Sequence, residues 1–203
     1  MEGTNELLNY TIPQLLRWRV NETGDKVALR EKDFGYWNNY TWNDFSDRVK
    51  KIALGLEKIG VQKGDKLALI GDNIPEMLFM AIGAQSIGAV SAGIYQTTLP
   101  DEIAQLIDYM DVTAVFCDDQ EQVDKLVEIR DRIPQVRRVI YEDPRGMRGY
   151  RSDDWYLFIE DLYALGEAIN AEYPGKYDEL IDRGSPDDVC HFCLTSGTTG
   201  LSK

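Results

Sequence analysis

The end of the sequence combines hydroxyl, glycine and lysine side chains in an order suited to binding a polyphosphate. The two glycines allow backbone angles in which successive N–H groups point into one concavity, and such nests bind anions. The hydroxyls add donors of little bulk, and the lysine adds a mobile cation for a terminal phosphate. The pattern predicts a phosphate-binding loop, although a flexible polar tail has a similar composition. Its residues are Thr195, Ser196, Gly197, Thr198, Thr199, Gly200, Leu201, Ser202 and Lys203.

This loop differs from the G-x-x-x-x-G-K-[ST] phosphate loop, because Gly200 is followed by leucine and Ser202 stands five residues after Gly197. The residues before it, 189–194, are mostly apolar and are predicted to form the last strand of the chain. Ligands of α/β proteins bind beyond the carboxyl ends of the strands. A strand directly before the loop therefore favours a binding function.

Three residues in that last strand could carry other chemistry. Cys190 and Cys193 have the C-x-x-C spacing of redox pairs and zinc sites, and His191 is the one histidine of the sequence. Positions three apart on a strand face opposite sides, so the two thiols would diverge, and a zinc site needs two more ligands. A Ser–His–Asp site around His191 lacks the G-x-S-x-G elbow. We expect buried strand packing here.

The elements that must position the loop alternate between strand and helix. Short apolar runs predict strands, and apolar residues three and four apart predict helices. The result is an α/β fold, with a mostly parallel sheet flanked by helices, built from successive βα units behind an N-terminal hairpin. The predicted strands are 66–70, 90–95, 113–117, 138–141 and 189–194; the helices are about 41–60, 75–87, 98–110, 123–130 and 158–169; the hairpin strands are 26–32 and 36–40.

These elements suggest a division into 1–60 (hairpin and first helix), 61–194 (βα units) and 195–203 (the loop). The segment 142–154 is rich in Asp, Arg and Gly and is expected to be a surface excursion. The acidic pairs Asp118-Asp119 and Asp153-Asp154 are expected to be solvated turns.

Composition excludes several classes of protein. The 203 residues carry a net charge of −13, which opposes nucleic-acid binding because that requires neutralising phosphates. Three cysteines without a regular framework and an acidic, polar N-terminus favour a cytoplasmic location. Residues 77–100 contain no charge, but glycines and polar residues dilute the stretch, so we expect a buried helix and strand and no transmembrane segment.

The ordered signature from Thr195 to Lys203 resembles the phosphate-binding loop of the adenylate-forming superfamily, which includes acyl-CoA synthetases, luciferases and peptide-synthetase adenylation domains. Ser202 stands where these loops generally carry proline. The resemblance runs from about Pro13 onward, and 41–45 resembles the family's early helix start. Segments 71–76, 88–95 and 143–148 resemble the long-chain fatty acyl-CoA synthetase branch, although Met77 stands where an aromatic residue is expected.

The resemblance implies a two-step reaction with ATP, Mg²⁺, a fatty acid and coenzyme A. The carboxylate attacks the α-phosphate, and the thiol of coenzyme A then displaces AMP. Thr195, Ser196, Gly197, Thr198, Thr199, Gly200 and Lys203 would hold the β- and γ-phosphates. The magnesium ligand and the adenylation lysine of relatives lie further along, so we expect no catalytic or metal-binding residue here, and an inactive N-terminal part of a partial domain.

Three alternatives stay open. The chain could be a stand-alone nucleotide- or pyrophosphate-binding module, or part of an adenylating enzyme for a different carboxylic acid. It could also be a structural piece that retains the sheet and self-associates, for example as a homodimer. Because Lys203 is the last residue of the sequence, we expect a poorly ordered loop with weak nucleotide affinity and no tightly bound cofactor.

Overall fold

A parallel sheet of six strands and a separate antiparallel hairpin are the β-structure of the computed structural model, which describes residues 9–195. The hairpin consists of β1 (Val27–Asp33) and β2 (Tyr36–Thr41). The sheet consists of β3 (Lys66–Gly71), β4 (Val90–Tyr95), β5 (Val112–Cys117), β6 (Arg138–Tyr141), β7 (Tyr156–Phe158) and β8 (His191–Phe192). The helices are α1 (Ile12–Thr23), α2 (Trp42–Lys58), α3 (Pro75–Ser86), α4 (Pro100–Met110), α5 (Gln120–Glu128), α6 (Ile159–Glu172) and α7 (Lys176–Asp182).

The sheet has the order β7-β6-β5-β3-β4-β8, and each neighbouring pair is parallel. Its two faces bury different side chains. Leu67, Leu69 and Phe116 pack on one side, with α1, α2, α3, α6 and α7. Ala68, Ile70 and others pack on the opposite side, with α4 and α5. The α/β fold predicted from the sequence, with helices on both faces and a hairpin in front, is confirmed.

Helix α2 shows how local sequence sets the element bounds. Thr41 caps its start, because the Thr41 hydroxyl accepts a hydrogen bond from the Asp44 N–H at 3.1 Å and Asp44 accepts one from the Thr41 N–H at 2.8 Å. Its buried face includes Phe45 and Val49. The chain turns away at Gly60, whose φ of 93° favours glycine.

Helices α2 and α6 approach closely because each has a glycine at the crossing. A Cβ on Gly55 would lie 2.6 Å from the carbonyl oxygen of Leu162, and a Cβ on Gly166 would overlap the carbonyl oxygen of Lys51. This contact fixes α6 against the layer that covers the sheet.

The structure differs from the sequence-based expectation in several elements. The last strand spans only His191–Phe192, because it lies at the edge and pairs with β4 alone. Helices α1 and α7 and strand β7 were not predicted. The excursion 142–154 is only partly a surface segment, since Met147 is buried in the second core. Within residues 9–195, none of the helices has the length and apolar character needed to cross a bilayer.

Candidate functional site

The carboxyl ends of β3 and β5 lie side by side where the sheet order reverses. From β3 the chain passes through α3 to β4 on one side, and from β5 it passes through α5 to β6 on the other. Parallel sheets bind ligands in the crevice outside such a reversal. The residues that follow these strands therefore form the floor of the candidate site.

The strands β3, β4, β5 and β6 are each followed at once by a polar residue. The first residues after β3, β4, β5 and β6 are Asp72, Gln96, Asp118 and Glu142. Carboxyl ends of parallel strands share one edge of the sheet, so these side chains come from four turns that lie next to one another. None of the four was predicted from the sequence to have a function.

Asp118 reaches from the end of β5 to the turn after β3. Its Oδ2 accepts a hydrogen bond from the Asp72 N–H at 2.7 Å, while its Oδ1 has no hydrogen-bond partner among residues 9–195. The residue is 8% exposed, and burial raises the pKa of its carboxyl group, with a further contribution from Asp119. A Cβ on Gly71 would overlap the Asp118 carboxyl carbon, so glycine permits the contact.

The expectation of a solvated turn at Asp118-Asp119 is therefore wrong for Asp118. The physical reason is that β3 pairs with β5, which brings the turn after β3 over the end of β5. Asp119 has a different role, because its side chain accepts a hydrogen bond from the Gln122 N–H at 3.1 Å and caps α5.

A chain of hydrogen bonds ties two turns of this edge to helix α5. The Gln96 side-chain amide donates to the carboxylate of Asp72. The Lys125 ammonium donates to the carbonyl oxygen of Gln96, and also to Gln122 Oε1 at 2.9 Å. The turns after β3 and β4 are thereby held to α5, which positions the backbone that lines the neighbouring groove.

That groove, of about 660 Å³, opens at the carboxyl ends of β3, β4 and β8. Its wall is mixed: Leu69, Met77 and Leu106 are apolar, whereas Asn73 and Thr98 are polar. A Cβ on the β4 glycine of this wall would meet nothing within 4 Å, so the wall is open to a ligand there. A molecule with both an apolar and a polar part would fit these surroundings.

His191 on β8 holds the edge strand to β4. His191 and Ser91 are in register, and His191 Nδ1 lies 2.8 Å from Ser91 Oγ. The amide of Gln85 donates to the same hydroxyl at 3.2 Å. Ser91 is fully buried, so its hydroxyl cannot attack a substrate as a nucleophile. The contact supports the structural role expected for His191 over a Ser–His–Asp site.

The two cysteines beside His191 do not pack as expected. Cys190 and Cys193 are both exposed free thiols, because β8 has a neighbour on one side only. The expectation of buried strand packing is wrong for this pair. Within residues 9–195, no group of three or more His, Cys, Asp or Glu side chains is placed to hold a metal ion.

Carboxylates concentrate on the β5–β6 side of the edge. Burial, followed by the charges of Glu76 and Asp143, raises the pKa of Glu142 to about 7. Burial also raises the pKa of Glu76, which the nearby Arg48 partly opposes. Negative charge here repels phosphates. The groove lies on the other side of the edge, at β4 and β8, and its wall includes the carboxylate of Glu102.

The predicted phosphate loop begins on that side. Thr195 is exposed and follows β8 directly after the groove residue Leu194. The other predicted site residues lie outside the described residues: Ser196, Gly197, Thr198, Thr199, Gly200 and Lys203.

Comparison with known proteins gives a consistent result. The family model described as "AMP-binding enzyme" matches residues 16–203. A long-chain-fatty-acid–CoA ligase, ACSBG1, of Rattus norvegicus is 28% identical over 197 residues, which cover 97% of this chain and 26% of the relative. ACSBG1 of Bos taurus is 30% identical over 195 residues, which cover 95% of this chain and 26% of the relative. The chain thus spans about a quarter of the length of these relatives.

Solved structures share the fold. The anthranilate CoA ligase AuaEII, in complex with anthranoyl-AMP, superposes with a TM-score of 0.72 at 19% identity, covering 97% of this chain and 34% of the ligase. VinN, in complex with L-aspartate, superposes with a TM-score of 0.68 at 21% identity, covering 96% of this chain and 47% of VinN.

Proposed function

Because this chain belongs to the AMP-binding enzyme family, we propose that the protein containing it is an ATP-dependent ligase that joins a long-chain fatty acid to coenzyme A. The chain contributes part of the adenylate-forming domain. The observation that carries the proposal is the position of β8, whose carboxyl end leads from an open groove directly into the signature Thr195–Lys203.

The reaction has two steps in this proposal. A carboxylate oxygen of the acid attacks the α-phosphorus of ATP, forming the acyl-adenylate as pyrophosphate leaves. The sulfur of coenzyme A then attacks the acyl carbonyl carbon, and AMP leaves as the thiol gives up its proton. An interaction accelerates the first step only if it stabilises the transition state more than the ground state.

The loop supplies that stabilisation. Hydroxyls of Thr195, Ser196, Thr198 and Thr199 and the N–H groups around Gly197 and Gly200 donate to the β- and γ-phosphates, and Lys203 offsets the charge that grows on leaving pyrophosphate. Mg²⁺ is expected to accompany the triphosphate. Lys125 and Asp118 fix the turns that border the groove through their hydrogen bonds to Gln96 and Asp72.

Two observations favour a fatty acid as the acyl substrate. The relatives of 28% and 30% identity carry the name long-chain-fatty-acid–CoA ligase. The groove also combines apolar side chains, including Ile94 and Phe192, with polar ones, as an acid with a long hydrocarbon chain requires. A cytoplasmic location is part of the proposal, in agreement with three free cysteines among residues 9–195.

The experiment is a product analysis with the full-length protein, ATP, Mg²⁺ and coenzyme A. Palmitate, octanoate, benzoate and anthranilate are supplied in turn, and acyl-CoA, AMP and ADP are quantified. We expect palmitoyl-CoA and AMP in equal amounts and no ADP. Product from the aromatic acids alone would assign the protein to another branch. Nucleotide binding without any thioester would support the binding module instead.

A further inference from the structure

The tip of the β1–β2 hairpin presents the densest group of exposed aromatic side chains in residues 9–195. Phe34 is 90% exposed, Tyr36 79% and Trp37 62%, and they are separated only by Gly35. The base of the hairpin is anchored, because Leu29 and other side chains near it pack against the first core. The tip therefore projects from the domain as a supported, largely aromatic surface.

The turn at the tip retains Phe34 at a conformational cost. Phe34 has a φ of 43° and Gly35 a φ of 88°, so both central residues of the two-residue turn have positive φ. Turns of this kind favour Asn-Gly or Gly-Gly, and a bulky residue at the first position is unusual. An exposed aromatic side chain held in an unfavourable backbone conformation indicates a function for the ring rather than for the turn.

The outward face of the hairpin is basic. Successive side chains of a strand alternate between faces, and directly paired residues share a face. Leu29 and Glu31 face the domain, where Glu31 accepts a hydrogen bond from Tyr40 at 3.1 Å. Arg30 and Lys32, which pair with Asn39 and Trp37, consequently face away from it.

These two cations are available to a partner. Both are exposed, and neither forms a salt bridge with any residue in the part of the chain that the structure describes. Asp33 at the tip pairs with Tyr36, and both lie on the other face of the hairpin. A protein with a net charge of −13 thus carries a strand face on which two cations lie beside the exposed ring of Trp37, with the exposed ring of Phe34 at the adjoining tip.

We propose that the surface formed by Arg30, Lys32, Phe34 and Trp37, here called the hairpin face, docks on an anionic phospholipid bilayer. Tryptophan and other aromatic rings favour the boundary between headgroups and acyl chains. Lysine and arginine next to them are attracted to anionic headgroups. The proposal goes beyond the catalytic function and does not depend on it, since vesicle binding requires neither ATP nor an acyl substrate.

Trp37 is exposed, so the difference in emission between the full-length protein and its Trp37→Phe variant reports on the hairpin face. The full-length protein is mixed with vesicles of phosphatidylcholine alone or of phosphatidylcholine with phosphatidylserine. We expect cosedimentation with the anionic vesicles that weakens with added salt, a blue shift of tryptophan emission, and quenching by brominated lipids.

Variants separate the aromatic and the basic contributions. Phe34→Ser is expected to reduce binding to anionic vesicles about ten-fold, the equivalent of about 1.4 kcal/mol, because the ring leaves water when it enters the interface. Arg30→Gln and Lys32→Gln are each expected to reduce it about five-fold, the equivalent of about 1 kcal/mol per cation. Tyr109→Ser and Arg148→Gln serve as matched controls, since both residues are exposed elsewhere, and they should bind like the unmodified protein.

Three results would overturn the proposal. The first is no vesicle binding at all. The second is binding that Phe34→Ser, Arg30→Gln and Lys32→Gln leave unchanged. The third is protection of Trp37 from aqueous iodide without lipid, which would mean that another segment or a second copy covers the hairpin face. Far-UV circular dichroism checks that each variant is folded, as substitutions of exposed side chains should leave it.

Discussion

At the scale of single residues, Asp118 is an acidic residue at a strand end that is buried although the sequence favoured an exposed turn. The residue directly follows a run that the sequence identifies as a buried strand, yet its acidic neighbour favoured a solvated turn. Its burial depends on β3 lying next to β5, and that neighbourhood depends on a crossover which local sequence does not encode. The rule that would have found it is positional: in a parallel sheet, the first polar residue after each strand is a candidate for the ligand edge.

Glu142 gives a pH-dependent prediction. Its pKa in the folded protein, about 7, lies above the ordinary value of 4.5, because burial penalises the charged carboxylate. The stability that this group contributes is therefore present below pH 4.5 and is lost as the pH rises through 7. Glu142→Gln should be more stable than the unmodified protein at pH 8, by about 1 kcal/mol after allowance for solvent screening, and equal at pH 4.

Urea unfolding at a series of pH values measures this difference. Glu128→Gln is the matched control, because Glu128 is exposed at the end of α5. A stability gain for Glu142→Gln that is constant from pH 4 to pH 8, or that the control reproduces, would contradict the account of Glu142.

At the scale of elements, local sequence identified the helices and strands that have a clear apolar face or a continuous apolar run. The predicted helices 41–60 and 75–87 and the predicted strands 66–70, 90–95, 113–117 and 138–141 all agree with the structure. The other elements were missed or given wrong bounds because they depend on packing against their neighbours. Strand β7 has three half-buried residues and depends on β6 for its hydrogen bonds, and β8 is short because it has one neighbour.

The α2–α6 crossing gives the prediction at this scale. Gly166→Ala should lower the free energy of unfolding by about 2 kcal/mol, since the added methyl group overlaps the Lys51 carbonyl oxygen and overpacking typically costs about 1–3 kcal/mol. The higher helix propensity of alanine offsets part of the cost.

Chemical denaturation compares this variant with Gly149→Ala. A Cβ at position 149 would meet nothing within 4 Å, so the control should stay within about 0.5 kcal/mol of the unmodified protein. If Gly166→Ala unfolds at the same denaturant concentration as the control, the helices do not approach as closely as described.

At the scale of the whole molecule, fold and chemistry were predictable to different degrees. Alternating strands and helices indicated the parallel sheet, and the ordered motif from Thr195 to Lys203 indicated the family, which the match over residues 16–203 shows. The groove at the ends of β3, β4 and β8 could not be predicted, because β8 returns to the sheet beside β4 after the chain has built β5, β6 and β7 on the other side. The loop thus follows a strand whose place only the assembled sheet defines.

We propose that this loop holds the phosphates of ATP while a fatty acid is adenylated. Palmitate-dependent exchange of labelled pyrophosphate into ATP by the full-length protein tests this proposal. We predict robust exchange that Lys203→Met reduces about 10- to 100-fold in kcat/KM for ATP, since a hydrogen bond to a charged group contributes roughly 1.5–3 kcal/mol. Lys58→Met, at an exposed lysine at the end of α2, should leave exchange unchanged. No palmitate-dependent exchange, or equal exchange by the two lysine variants, would contradict the claim.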